Sequence, residues 1–216
     1  MRKALVLGVF GLAATLASPA FAADEFSGFR LGMDMGSDRL DSQFFFEPFL
    51  DTDPINENRF GYALMAGWGL NRYLAFEGAL RGGTDFNAKP FEGQFVDPND
   101  YISSRTRVKG AEVSAVGSLW IGKKFSFFGR LGMFAWKADE NVTVGNYLSQ
   151  TKSSASTNDT GFDPLFGVGI QTVLDRSLIR VEYKETEIGD LGLTGGYNLH
   201  DSKISQLNFS VVWVFR

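Results

Sequence analysis

Cysteine is absent from this sequence. Disulfides, thiolate metal sites and thiol nucleophiles are therefore excluded together. Histidine occurs once, at His200, which leaves little material for zinc binding or general-base chemistry. Positive charge is not in excess. The formal net charge is −4, so the chain carries no electrostatic footprint for nucleic acid. Beyond residue 22 no apolar run approaches the roughly 20 residues that a membrane helix needs. No cluster has zinc spacing and no phosphate loop is present, so no cofactor is implied.

What is present begins at the N-terminus. Arg2 and Lys3 precede an apolar run from Ala4 to Ala17, followed by Ser18, Pro19 and Ala20-Phe21-Ala22. A basic start, a short apolar core and a small-x-small site predict a secretory signal over residues 1–22, cleaved after Ala22. No lipobox cysteine accompanies it. The remaining chain, residues 23–216, is rich in phenylalanine (21 in all) and glycine (25 in all). An exported, aromatic-rich chain without helical spans fits a membrane β-barrel, where alternation dilutes the apolar residues below what a hydropathy window detects.

Period-two alternation predicts eight strands: 26–35, 60–70, 73–82, 107–121, 125–138, 162–174, 178–186 and 203–215. Asn71-Arg72, Gly122-Lys123-Lys124 and Asp175-Arg176-Ser177 are tight turns. The other four connections, around 36–59, 83–106, 139–161 and 187–202, are long and polar. This order predicts an all-β fold, an eight-stranded antiparallel up-and-down transmembrane β-barrel with short periplasmic turns and long outer loops. An even count lets the last strand pair with the first, leaving no open edge in lipid.

The strands have two unlike faces. One carries Phe29, Leu31, Met33, Tyr62, Leu64, Trp68, Phe76, Leu80, Val113, Leu119, Phe127, Phe166, Val168, Val181 and Tyr183. It ends on Leu207, Phe209, Val211, Trp213 and Phe215. The other carries Arg30, Asp34, Glu77, Arg81, Glu112, Arg130, Asp163, Gln171, Arg180, Glu182 and Lys184. Charges are costly in hydrocarbon, so this second face is assigned to the lumen. A soluble lipocalin-like barrel would reverse the assignment, and alternation alone does not separate the two. The signal segment, the aromatic last strand and the loop asymmetry favour the membrane.

The stretches "FSGFRLGMDM", "NRFGYALMAGWGLNRYLAFEGALRGG", "GRLGMFAWKAD", "DTGFDPLFGVGI", "RVEYKETEIGD" and "LNFSVVWVF" resemble, in spacing and order, the eight-stranded transmembrane domain of OmpA-type outer-membrane proteins. The resemblance implies the outer membrane of a Gram-negative bacterium, with lipid and lipopolysaccharide as surroundings. The lumen face assigned by alternation gives a charge network of Arg30, Glu77, Arg81, Glu112, Arg130, Arg180, Glu182 and Lys184, and the resemblance implies a plugging role for Glu77 and Arg180, with Glu182 and Arg30 nearby. A second family pair falls on Val116 and Gln171, both neutral here. Trp213 and Phe215 resemble the C-terminal signal read by the barrel-assembly machinery, although Arg216 follows. The family's frequent peptidoglycan-binding domain has no counterpart in this sequence.

Three kinds of function are open to such a barrel. A plugged lumen with a structural or surface-interaction role is the favoured expectation. A narrow path for ions or small solutes is the alternative. A lipid A-modifying enzyme is a distant third: His200 lies in His200-Asp201-Ser202, but no carboxylate follows Ser202 to complete a triad, so the chain is read as non-enzymatic. In the first long loop Phe44, Phe45, Phe46 and Phe49 either fold onto the rim or form an interaction surface for an unknown extracellular ligand. Residues 150–158 look like a flexible loop tip. Arg105, Arg107, Lys109 and Lys137, at strand ends, are placed to attract lipopolysaccharide phosphates.

Overall fold

The computed structural model describes residues 26–46, 50–51, 55–92, 99–192 and 197–215. The signal segment and Phe49 lie outside these residues. Strands β1 (Gly28–Phe46), β2 (Leu50–Asp51), β3 (Ile55–Gly69), β4 (Leu74–Glu92), β5 (Asp100–Ile121), β6 (Phe125–Asn146), β7 (Lys152–Leu174), β8 (Ser177–Gly192) and β9 (Tyr197–Phe215) form one antiparallel sheet. β2 is two residues long and pairs with β1 at Phe45 and Phe46, beside the point where β3 takes over. The other eight strands are the spanning ones. β1 pairs with β9 from Phe29↔Phe215 upward, which closes the ring. Among the described residues every spanning strand thus has two partners and the ring has no free strand.

The alternation read from the sequence sorts the two faces. Phe29, Leu64, Trp68, Phe76, Leu80, Val113, Leu119, Phe127, Phe166, Val168, Leu207 and Trp213 point outward and are exposed. Arg30, Glu77, Arg81, Glu112, Arg130, Arg180, Glu182 and Lys184 point inward and are buried. At about 3.4 Å per residue and a tilt near 45°, the outward run from Ala111 to Ile121 rises roughly 24 Å, which matches the ~25 Å apolar band of such barrels.

The strand limits differ from those predicted. The four outer connections are much shorter than the sequence suggested, because the strands continue beyond the band as paired hairpins. Phe44, Phe45 and Phe46 belong to β1, opposite Leu199, Asn198 and Tyr197 of β9, rather than to a loop. Residues 152–158 belong to β7 and pair with β6, so the tip there is confined to 147–151. The reason is physical. Above the hydrocarbon the outward face meets water and turns polar while the inward face turns apolar, as at Leu40, Phe86 and Val142, so the pattern that marks the strands lower down is lost while the hydrogen-bond ladder goes on. His200 also lies in β9, opposite Gln43, and its side chain is outside the described residues.

One irregularity has large effects. Between Arg81 and Thr84 the β4–β5 register shifts by one residue at Gly82-Gly83. The inserted residue reverses the faces of β4 above it. Below the bulge odd-numbered residues point inward; above it Thr84 and Phe86 are buried, and Asp85 is turned to the outside.

Candidate functional site: the barrel lumen

Inward side chains form layers along the barrel axis. At the turn end Phe26, Leu178, Val212 and Val214 pack with Met65, and Trp120 leans on this cluster. The rings of Phe26 and Trp120 are 4.7 Å apart, and the Arg72 guanidinium lies 4.9 Å from the Trp120 ring. The lower end of the lumen is thus stoppered by apolar and aromatic groups.

Above it comes a charge cluster centred on Glu77 of β4. Arg180 of β8 donates to it twice, at 2.9 Å each, in the fork geometry that makes arginine–carboxylate pairs strong. Arg130 of β6 donates at 3.0 Å and Arg30 of β1 at 3.4 Å. Arg130 also donates to Glu182 at 2.6 and 3.2 Å, and to the Ser114 hydroxyl at 2.7 Å. Gln171 accepts from Arg180 Nε at 2.9 Å. Small residues in the wall make room for these guanidiniums. A Cβ on Gly69 would lie 2.7 Å from an Arg30 nitrogen, and one on Gly167 would lie 2.7 Å from a Glu182 oxygen.

A second charge cluster sits one tier higher. Arg81 donates to both oxygens of Asp38, at 2.7 and 2.6 Å, to Gln206 at 2.6 Å and to Glu112 at 3.3 Å. Thr84 donates to Asp38 at 2.7 Å. Lys184 bridges Glu112 at 3.0 Å and Asp34 at 3.5 Å. Across both tiers Arg30, Arg81, Arg130, Arg180 and Lys184 face Asp34, Asp38, Glu77, Glu112 and Glu182, all buried, so the charges balance. Buried charges persist only when paired in this way.

Above the charges the lumen turns apolar again. Leu40, Phe86, Val108, Phe134, Trp136, Leu165, Ile188 and Ile204 form one buried cluster. Trp136 is anchored by donating to Asp163 at 2.6 Å.

Of the eight residues expected in the lumen network, Arg30, Glu77, Arg130, Arg180 and Glu182 are joined in the lower tier and Arg81, Glu112 and Lys184 in the upper one. Several partners were missed. Asp38 and Thr84 lie where the strands were read as already ended, whereas Gln206 lies inside the last predicted strand and was passed over because it carries no charge. Continuing the even-numbered series Arg30, Asp34 to Asp38 would have found the first. Of the second family pair, Gln171 joins the network through Arg180, while Val116 packs with Ala75 and Phe128. Trp213 and Phe215 stand outward on β9, and the Phe215 ring lies 6.0 Å from that of Phe29.

A closed antiparallel ring with an apolar belt outside and paired charges inside is the architecture of a small outer-membrane barrel. Residues 22–216 match the OmpA-like transmembrane domain. The chain belongs to that family. Outer membrane protein A of Klebsiella pneumoniae is 29% identical over 173 residues, covering 79% of this chain and 46% of that protein. Outer membrane protein A of Serratia marcescens is 27% identical over 144 residues, covering 66% of this chain and 36% of the relative. The chain therefore spans less than half the length of these relatives. Among solved structures, the outer membrane protein OprG of Pseudomonas aeruginosa superposes with a TM-score of 0.57 at 10% identity, covering 89% of this chain and 100% of OprG. At that identity the likeness concerns the fold. The OmpA-like family places this protein in the Gram-negative outer membrane, with lipid and lipopolysaccharide around it.

Proposed function

We propose that this OmpA-like barrel is a non-enzymatic envelope component whose lumen is closed and whose interactions are made by its outer hairpins. The observation that supports this reading is the layering of the lumen. Two tiers of mutually neutralising charge lie between the Phe26–Leu178–Val214 cluster and the Phe86–Phe134–Trp136 cluster. A hydrated ion would have to cross both apolar layers, and an eight-stranded interior is narrow enough for side chains to fill. The surface role rests on the hairpins that continue above the apolar band. Trp213 and Phe215 serve as the signal read by the assembly machinery in this reading.

Single-channel recording of the refolded protein in a planar bilayer tests the closed lumen. Silence, or rare small openings, is the expected result. Steady conductance that changes with Glu77→Ala or Arg180→Ala would overturn it and make the lumen a path for small solutes.

A further inference from the structure

We propose that the outward face of β4, β5 and β6 holds one phosphorylated glycolipid of the lipid A type, with its phosphates on Arg105, Arg107, Lys109 and Lys137. These four side chains are all substantially exposed. Arg105, Arg107 and Lys109 share the outward face of β5 with Ala111 and Val113, and Lys137 stands opposite Lys109 on β6. They begin one step above the apolar band, at the level where headgroup phosphates meet the protein.

The cluster is built rather than scattered. Asp85, turned outward by the Gly82-Gly83 bulge, accepts from Arg105 at 2.8 Å and from Arg107 at 2.6 and 2.9 Å. Gly83 lets the Arg107 stem lie flat, since a Cβ there would meet it at 3.0 Å. Asp139 holds Lys109 at 3.3 Å and Lys137 at 3.2 Å. The two carboxylates fix four cations side by side and still leave the sector positive. Across the barrel, the outward charges of β1, β8 and β9 at the same level are Arg39 and Lys203 against Asp41, Glu185 and Glu187. Among the described residues that sector is negative, whereas the β4–β6 side is positive and favours phosphate.

The wall below the cations is hollow. Ala111 and Ala135 face each other directly beneath Lys109 and Lys137. They lead down to a shallow groove of about 470 Å³ over Phe76, Gly78, Val113, Ala115 and Leu131, with Glu77 and Ser114 also in its lining. Cations above an apolar furrow on the same strands match a lipid with phosphate at its head and acyl chains beneath. This assignment stands whether or not the lumen conducts.

The test is native mass spectrometry of the refolded barrel in micelles, with a chelator present to remove bridging divalent cations. The probes are bis-phosphorylated lipid A and the same lipid dephosphorylated. Wild type should retain the phosphorylated lipid at one equivalent and the dephosphorylated lipid at least about tenfold more weakly. Arg105→Gln/Arg107→Gln/Lys109→Gln/Lys137→Gln should lose that preference, and Arg39→Gln/Lys203→Gln should keep it. Ala111→Phe/Ala135→Phe, which fills the furrow and keeps every charge, should weaken both lipids. Should the fourfold variant fail to refold, Lys109→Gln/Lys137→Gln leaves the Asp85 pairs intact and should still reduce the preference. Equal retention of the two lipids by wild type, undiminished retention by the basic-sector variants, or equal loss in the Arg39/Lys203 control would overturn the proposal.

Discussion

At the scale of single residues, Glu77 bears the heaviest demand, because it is the shared acceptor of Arg30, Arg130 and Arg180. Glu77→Gln removes the charge and keeps the shape, leaving three buried guanidiniums with too few anions. The expected loss is about 3–5 kcal/mol, read from reversible urea unfolding in lipid vesicles. Adding Arg180→Gln should recover part of that loss, since it removes one of the stranded cations. Asp85 tests the outer rim, above the apolar band. Hydrogen bonds from Arg107, then Arg105, hold its carboxyl well below the ordinary aspartate range. Its contribution to stability is therefore present above the unfolded aspartate value of about 3.9 and is lost only as pH falls through the lower folded value. Carbon-detected NMR should find its midpoint below that of the other exposed aspartates, and Arg107→Gln should move it upward. The inward charges within the hydrocarbon span were legible from alternation, since lipid tolerates no ambiguity about which face they take. Asp38 was not, because it lies where the outer face has already become polar.

At the scale of elements, the bulge in β4 decides which residues face which way. Deleting Gly83 removes the extra residue and keeps Thr84 opposite Val108, Asp85 opposite Arg107 and Phe86 opposite Thr106, so Asp85 stays outward and Phe86 inward. The Phe86 contribution to the upper apolar cluster should therefore be kept in the deletion and lost in Phe86→Ala, at a cost of about 3–5 kcal/mol, the scale of a phenylalanine removed from a core. A cysteine at position 86 should stay protected from a membrane-impermeant thiol reagent with or without Gly83; reactivity in the deletion would refute this reading of the bulge. The Gly82-Gly83 pair was visible in the sequence as a break, yet nothing local distinguishes a bulge from a loop start. The same difficulty hid the upper halves of β1, β4, β6 and β7. Residues such as Thr143, Ser154 and Thr157 pair across strands without any apolar face to advertise it.

At the scale of the whole molecule, fold and membrane placement were readable from the order of short and long connections and from the aromatic last strand. The layered lumen was not. Phe86 lies beyond the predicted end of its strand, and Phe134 and Trp136 were assigned to neither face, although they continue the inward even-numbered series of Arg130. Trp213 and Phe215 allow a separation of stability from assembly. Phe215→Ala should leave unassisted refolding into thin vesicles nearly unchanged, because the side chain is half exposed to lipid. It should slow insertion severalfold when purified assembly machinery is supplied. Equal slowing in both assays would mean that Phe215 acts only through its contact with Phe29.

The ring is sealed by pairing β1 with β9, so its closing contact joins strands separated by almost all of the chain. Until β9 arrives, β1 and β8 each expose an unpaired backbone row that lipid cannot satisfy and that another chain could. No partial barrel is a safe resting state. A chain stalled short of β9 should therefore pair with other copies of itself, whereas one that adds β9 in the same step as the rest has no edge to offer.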